Sequence, residues 1–509
     1  MLRAPRATIF VALVIGASAL WPASRIGAEF MPALDEGDLL YMPSALPGIS
    51  VGKMSELLQQ TNRLIRTVPE VASVFAKAGR ADTATDPAPL EMIETVIQFK
   101  PRDQWRAGMT PAKLVDELDR TVRVPGLANV WVPPVRARID MQTTGIKSPI
   151  GVKVAGADPR EIDRVLADIE RVARRVPGVS SAFAERLGGG RYIDVHIDRA
   201  NAARYGLNIA DVQSVVAAAV GGDNIGETVE GLQRFPINVR YPRGARDSVE
   251  ALRALPVLTE RGAQLRLGDV ASIGIADGPS MLKSENGRLS GWAYIDIRGR
   301  DLGAAVRDLQ RAVTDQVKAP TGYSISWSGQ FEYLERATHR LAIVVPAVLA
   351  TVFVLLVVVF RRAGDALVIM ATLPFALVGG LWLMALLGYD MSVASAVGFI
   401  ALAGVASEIG VVMLVYINAS IEARKAAVKL LDRPALAAAI VDGAALRVRP
   451  IMMTACVVIA GLLPIMWSGG TGSEVMRRIA APMLGGMITA LVLSMFVVPA
   501  VFLLVRRRG

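Results

Sequence analysis

The sequence predicts an α-helical membrane bundle of six transmembrane helices that carries a large extramembrane region of small α+β subdomains of split β-α-β type. Three observations lead there. Five apolar stretches, each close to or beyond the roughly 20 residues that a helix needs to cross a bilayer core, crowd the C-terminal part of the chain. A sixth, shorter stretch stands near the N-terminus. Between them, residues 29–339 are polar, punctuated by Pro and Gly, and alternate short β-like runs with amphipathic helical patterns.

The N-terminal stretch, "ATIFVALVIGASALW" at residues 7–21, follows Arg3 and Arg6 and contains "ASA". It reads as a cleavable signal peptide or as a retained anchor, and the six-helix pattern that it completes favours the anchor. The other spans are expected at about 341–360, 366–388, 391–417, 450–468 and 480–505. Arg3, Arg6, Arg361, Arg362, the loop with Arg424, Lys425, Lys429, Arg433, Arg447 and Arg449, and the terminal "RRRG" then share one side, as the positive-inside rule requires. Both termini are therefore expected in the cytoplasm, with 29–339 outside; Arg477 and Arg478 are an exception on the outer side.

Composition excludes several function classes. The net charge of +10 resides largely in Arg and Lys that flank apolar segments, so it reports membrane orientation and not nucleic-acid binding. One cysteine, Cys456, inside an apolar segment, allows neither a disulfide framework nor a thiolate cluster. His196 and His339 are too few and too far apart for a zinc site. There is no P-loop, no nucleophile elbow and no zinc-ligand spacing, so neither a hydrolytic enzyme nor an ATP-driven machine is expected, and no cofactor is implied.

In the outer region "LLYMPSALPGIS" reads as a strand, "KMSELLQQTNRLIRTVP" as a helix, and "EVASVFAKAG" and "LEMIETVIQFK" as strands. The pattern recurs in "IGVKVAGA", "REIDRVLADIERVARRVP", "GVSSAFAERLG" and "RYIDVHID", the two helices leaving through the related "TVPEVASVFAK" and "RVPGVSSAFAE". A third unit runs through "GWAYIDIRG", "LGAAVRDLQRAVTDQV" and "GYSISWSG". The expected divisions are 1–28, the first spanning helix; 29–146, a first subdomain; 147–196 and 281–338, the two parts of a second; 197–280, an insert; and 339–509, five spanning helices.

"EGDLLYMPSALPGIS", "TATDPAPLEMIETVIQFKP", "PGLANVWVPPVRARIDMQTTGIKSPIGVKV", "GETVEGLQRFPINVRYP", "FIALAGVASEIGVVML", "GAALRVRP" and "RRIAAPMLGGMITA" resemble the heavy-metal-efflux branch of the RND transporters, and most closely its copper/silver pumps. The resemblance runs along essentially the whole chain and corresponds to the C-terminal half of such a subunit. It implies helices seven to twelve of that fold, two periplasmic porter subdomains and a docking-type insert in a bacterial inner membrane. It also implies proton-driven efflux of Cu(I) or Ag(I). The partners implied are an N-terminal half-subunit, a periplasmic adaptor, an outer-membrane channel and a trimeric assembly.

The same resemblance assigns Met42, Met92 and Met141 as metal ligands, Glu94, Arg138 and Lys147 as cleft-gating charges, Met476 as a relay methionine and Glu408 as a proton carrier. The chemistry agrees: a thioether is a soft donor for soft monovalent ions and carries no proton to compete with the metal. By spacing alone, single methionines in a β-α protein are core fillers, and Glu94, Arg138 and Lys147 are solvated surface charges. Glu408 sits in "GVASEIGVVML", where an ionised carboxylate costs from about 3 to over 10 kcal/mol and usually has a task; the bland reading is a neutral carboxyl hydrogen-bonded within the bundle. The chain departs from the family pattern in three ways: Asn224 stands where another relay methionine would be, Ile451 replaces a lysine after "RVRP", and the aspartate on the family's fourth helix belongs to the other half. Two further readings compete: a half-size RND protein that pairs with itself, and a non-transporting, metal-binding membrane protein.

Overall fold

The computed structural model describes residues 2–32, 34–45, 47–79, 88–279, 281–427 and 433–506. Residues 83–87 of the "TATDPAPLEMIETVIQFKP" motif, Lys429 and the last three residues of the terminal "RRRG" lie outside them.

Six helices among the described residues are long and apolar enough to cross a membrane: Pro5–Arg25, Gln330–Phe360, Ala363–Leu387, Val393–Ala426, Arg433–Trp467 and Ser473–Val505. The third is made of two pieces, Ala363–Met370 and Leu373–Leu387, the second with a proline at its start, where a missing N–H costs nothing. Two helices begin well before their apolar stretches, at Gln330 and Arg433. The bundle core is mainly apolar, from Ala366 and Ile369 to Leu414, Ile440, Ile451 and Phe502, with Asp365, Thr372, Ser395 and Ser494 buried among the spans. The third and sixth spans approach until a Cβ built on Gly485 would lie 2.3 Å from the Gly379 carbonyl oxygen. Small residues permit such close backbone contact in a bilayer.

The first outer subdomain holds β1 (Asp38–Tyr41), β2 (Val71–Ala78), β3 (Ile93–Phe99) and β4 (Trp131–Val132) in the order β2-β3-β1-β4, with every pair antiparallel. Helix Val51–Ile65 joins β1 to β2 across β3, and Pro111–Thr121 lies between β3 and β4. Ser50 and Thr110 side chains accept the N–H groups of Lys53 and Lys113 and so cap these helices. Leu114, Leu118 and Ile65 pack on Leu39, Tyr41 and Ile97 of the sheet. The regular strand in "LLYMPSALPGIS" ends at Tyr41, since Pro43 has no N–H to give, and pairing continues beyond it as isolated bridges at Ser44.

The second subdomain opens with β5 (Ile150–Gly156), helix Pro159–Ala173 and β6 (Val179–Ala184). The chain then leaves along β7 (Gly190–Ile197) into an insert with its own core around Leu207, Val212, Leu252, Val257 and Leu267. The insert contains the hairpin of β8 (Asp223–Glu230) and β9 (Gln233–Val239) and the short pair β10 (Pro256–Leu258) and β11 (Gln264–Arg266). It returns along β12 (Ala271–Gly278), which pairs antiparallel with β7 from end to end. "RYIDVHID" is therefore half of a two-stranded ribbon and not a strand of the second sheet. β13 (Lys283–Glu285), β14 (Arg288–Ile297), helix Leu302–Gln316 and β15 (Ser324–Gly329) complete the subdomain. β14 pairs with β13, β6 and β5, and β5 pairs with β15, so the second and third sequence units close one sheet. Its core lies between that sheet and the two helices. β15 runs without a loop into the spanning helix Gln330–Phe360.

Candidate soft-metal site in the charged cleft

Met42, Met92 and Met141 reach the same place by three routes. Met42 directly follows β1, and its N–H donates to the Val130 carbonyl at 2.9 Å. Met92 precedes β3 and forms an antiparallel bridge with Ser44. Met141 rides on helix Pro134–Thr144, whose first N–H groups are held by the Glu36 carboxylate, at 2.6 Å from Val135 and 3.0 Å from Arg136. The three side chains join one small apolar cluster with Leu40, Val96, Val130, Val132 and Ala137. Met42 is fully buried within it.

A cavity of about 370 Å³ opens beside this cluster, between the two subdomains. Met92 and Met141 line it from the first subdomain, and Glu185, Trp292 and Tyr294 from the second. The Met141 helix ends in Gly145, at φ +77°, where a Cβ would lie 2.4 Å from the Trp292 ring. Only glycine allows both the left-handed cap and this approach.

Charge surrounds the apolar floor. Glu94 is buried and pairs with Lys77 at 3.4 Å and Arg138 at 3.5 Å. Lys147 is 5% exposed; its ammonium donates to the Met42 carbonyl at 3.3 Å and to the Ser44 hydroxyl, and lies 5.1 Å from the Tyr294 ring centre. Desolvation pushes the Lys147 ammonium down to about 8, with Lys283 adding to the effect and Glu185, Glu94 and Glu91 opposing it. Lys283 pairs with Glu185 and stands 4.0 Å over Trp292. The Tyr294 hydroxyl donates to Glu185 at 2.6 Å, and burial raises that phenol well above its ordinary range.

Of the three charges singled out in the sequence, Glu94 and Arg138 form a pair, whereas Lys147 binds backbone and hydroxyl oxygens. Lys147 lines the cavity, whereas Glu94 and Arg138 do not; Glu185, Lys283 and Trp292 also line it and carried no local signal. Beneath it, Asp140 accepts from Arg136 and Gln330, both at 3.3 Å. This ties the Met141 helix to the first residue of the spanning helix Gln330–Phe360, and desolvation raises the Asp140 carboxyl despite Arg136.

The other sequence candidates lie apart from this cluster. Met476 is exposed at the start of the sixth span. Asn224, on β8, accepts from Asn238 at 3.0 Å. Glu408 sits on the exposed side of the fourth span, in a stripe with Val397, Ile400, Gly404 and Val415, and makes no ion pair among the described residues. Ile451 is packed in the bundle core. Arg478 is neutralised by Glu29 at 3.1 Å and lies over Tyr389 at 3.9 Å, which accounts for one of the two outer arginines.

The model of the AcrB/AcrD/AcrF family matches residues 1–506. The cation efflux system protein CusA of Escherichia coli is 57% identical over 504 residues, covering 98% of this chain and 48% of that protein. The cation efflux system protein CzcA of Alcaligenes sp. is 36% identical over 494 residues, covering 96% of this chain and 46% of that one. A crystal structure of a heavy metal efflux pump superposes with a TM-score of 0.88 at 31% identity, over 99% of this chain and 51% of that chain. The chain thus spans about half the length of the curated relatives it matches. With six candidate spans and a large periplasmic region, it is a multi-pass inner-membrane protein, and its match over residues 1–506 shows that it belongs to the AcrB/AcrD/AcrF family.

Proposed function

We propose that this chain is the C-terminal half of a pump subunit that moves Cu(I) or Ag(I) out through the cell envelope in exchange for protons. The metal is held by Met42, Met92 and Met141. The observation that carries this reading is their convergence in one apolar cluster beside a charged cavity, although no local motif joins them. Three neutral thioethers suit a soft monovalent ion, and weak individual bonds allow release. Glu94 with Arg138, and Lys147, gate the cleft. Glu408 carries the proton, and its exposed face leaves room for a second half-subunit to complete the relay. Met476 serves a metal relay. A periplasmic adaptor, an outer-membrane channel and a three-fold assembly complete the machine.

Silver(I) titration of the purified chain tests the site. Met42→Ile, Met92→Ile and Met141→Ile should each weaken binding, and unchanged affinity in all three removes them as ligands. Native mass spectrometry tests the assembly. A three-fold complex with a second chain of similar size fits the proposal, whereas a complex of this chain alone favours the self-pairing or non-transporting readings.

A further inference from the structure

Met42, Met92 and Met141 all belong to the first subdomain, so a metal held by them alone would not sense the opposite wall of the cleft. That wall carries a fourth methionine. Met281 lines the same cavity as Met92 and Met141 but comes from the segment between β12 and β13, where the insert rejoins the second sheet. The segment is fastened at both ends. The Tyr192 hydroxyl donates to the Pro279 carbonyl, and Lys283 pairs with Glu185 while lying over Trp292. Met281 is partly buried between these anchors, yet belongs to none of the apolar clusters among the described residues. Met281 shares the cavity wall with Glu185, Lys283 and Trp292 as well as with Phe183 and Leu187, so its thioether stands at an open cavity and not in a packed core, where a methionine usually fills gaps.

We propose that Met281 is a further thioether ligand for the soft monovalent cation, supplied by the second subdomain when the cleft closes. The inference rests on the metal reading above. A neutral sulfur donates a lone pair, so no proton or electron is exchanged. The consequence is that affinity depends on the separation of the subdomains: closure adds a donor, and opening removes it and favours release.

The test is silver(I) binding to the full chain in detergent, with the number of Ag–S contacts counted by X-ray absorption. Met281→Ile should weaken binding on the order of 10-fold, the low end of what losing one supporting contact costs a metal site, and should remove one sulfur from the shell. Unchanged affinity and sulfur count in Met281→Ile, with binding lost in Met92→Ile and Met141→Ile, overturns this inference and leaves the metal site standing. Unchanged binding in all of these variants overturns both. Peroxide oxidation of the unmodified chain, mapped by mass spectrometry, avoids any folding defect of a variant. Silver should protect Met281 together with Met92 and Met141 and leave Met109, outside the cleft, unprotected; Met281 oxidised equally fast with and without silver overturns the inference.

Discussion

Lys147 places a positive charge, almost wholly out of water, beside the cluster proposed to receive a cation. Its ammonium titrates at about 8 in the folded protein against an ordinary 10.5. At about 1.4 kcal/mol per pKa unit, the charged form is disfavoured in the folded chain by about 3 kcal/mol. Below pH 8 folded and unfolded chains both carry the proton, and the full penalty is present. Between about 8 and 10.5 the unfolded chain keeps a proton that the folded one has lost, so stability rises with pH. Lys147→Met lacks this titration and leaves the Met42 carbonyl and the Ser44 hydroxyl without their donor, a pH-independent cost. The stability of the unmodified protein relative to Lys147→Met should therefore increase by about 3 kcal/mol from pH 7 to 10.5, on the order of 100-fold in amide protection. Hydrogen exchange at the Met42 and Gly145 amides, compared between the two proteins at each pH while reclosing outpaces exchange, reads this difference. A difference that stays flat or shrinks over that range refutes the reasoning.

Glu408→Gln should abolish silver efflux driven by a proton gradient in vesicles holding the assembled pump; full activity would return Glu408 to a structural role. Gly485→Leu should force apart the third and sixth spans, since even a Cβ there meets the Gly379 carbonyl oxygen at 2.3 Å; a monodisperse, fully stable variant in detergent would contradict that contact. Arg106 donates to both oxygens of buried Glu70, at 2.7 and 2.8 Å, and holds its carboxyl below the ordinary value. This pairing stabilises the fold above the unfolded carboxylate range and is lost as pH falls through the lower folded value. The stability gap between the unmodified chain and Arg106→Ala should accordingly close on acidification, and a gap that persists below that range would refute it.

The spanning helices were legible because hydrocarbon thickness writes itself into the length of an apolar run. Their ends were less so. Hydropathy places the second span from about 341, but "FEYLERATHR" has the propensity to continue the helix in water back to Gln330, and the Ala-rich stretch after Arg433 extends the fifth span in the same way. In the outer region the strands were readable from alternation, whereas pairing was not. "RYIDVHID" has the same pattern whether its neighbour is a sheet or a lone strand such as β12, about seventy residues further along the chain. The three-methionine cluster was invisible to spacing, because a bare thioether looks like a core filler, and became readable only through family likeness. Met281, Lys283, Glu185 and Trp292 face the cavity through long-range folding alone and left no local trace.

The unbroken passage from β15 into Gln330–Phe360 makes a lever. The helix has 31 residues, about 46 Å at 1.5 Å per residue, and is fastened to an edge strand of the second sheet through Gly329. That residue has φ +85° and ψ −150°, a conformation open essentially to glycine alone, and a Cβ would come within 2.9 Å of the Pro149 carbonyl oxygen. It is the fulcrum. A tilt of about 5° there sweeps the far end through about 4 Å, with Pro346 as the one compliant point along the shaft. Gln330, next to the fulcrum, is bonded to Asp140 beside Met141, so the short arm of the lever ends at the cleft and the long arm inside the bilayer. A small strain at the Met141 helix and a large stroke in the membrane would, through this geometry, be one motion.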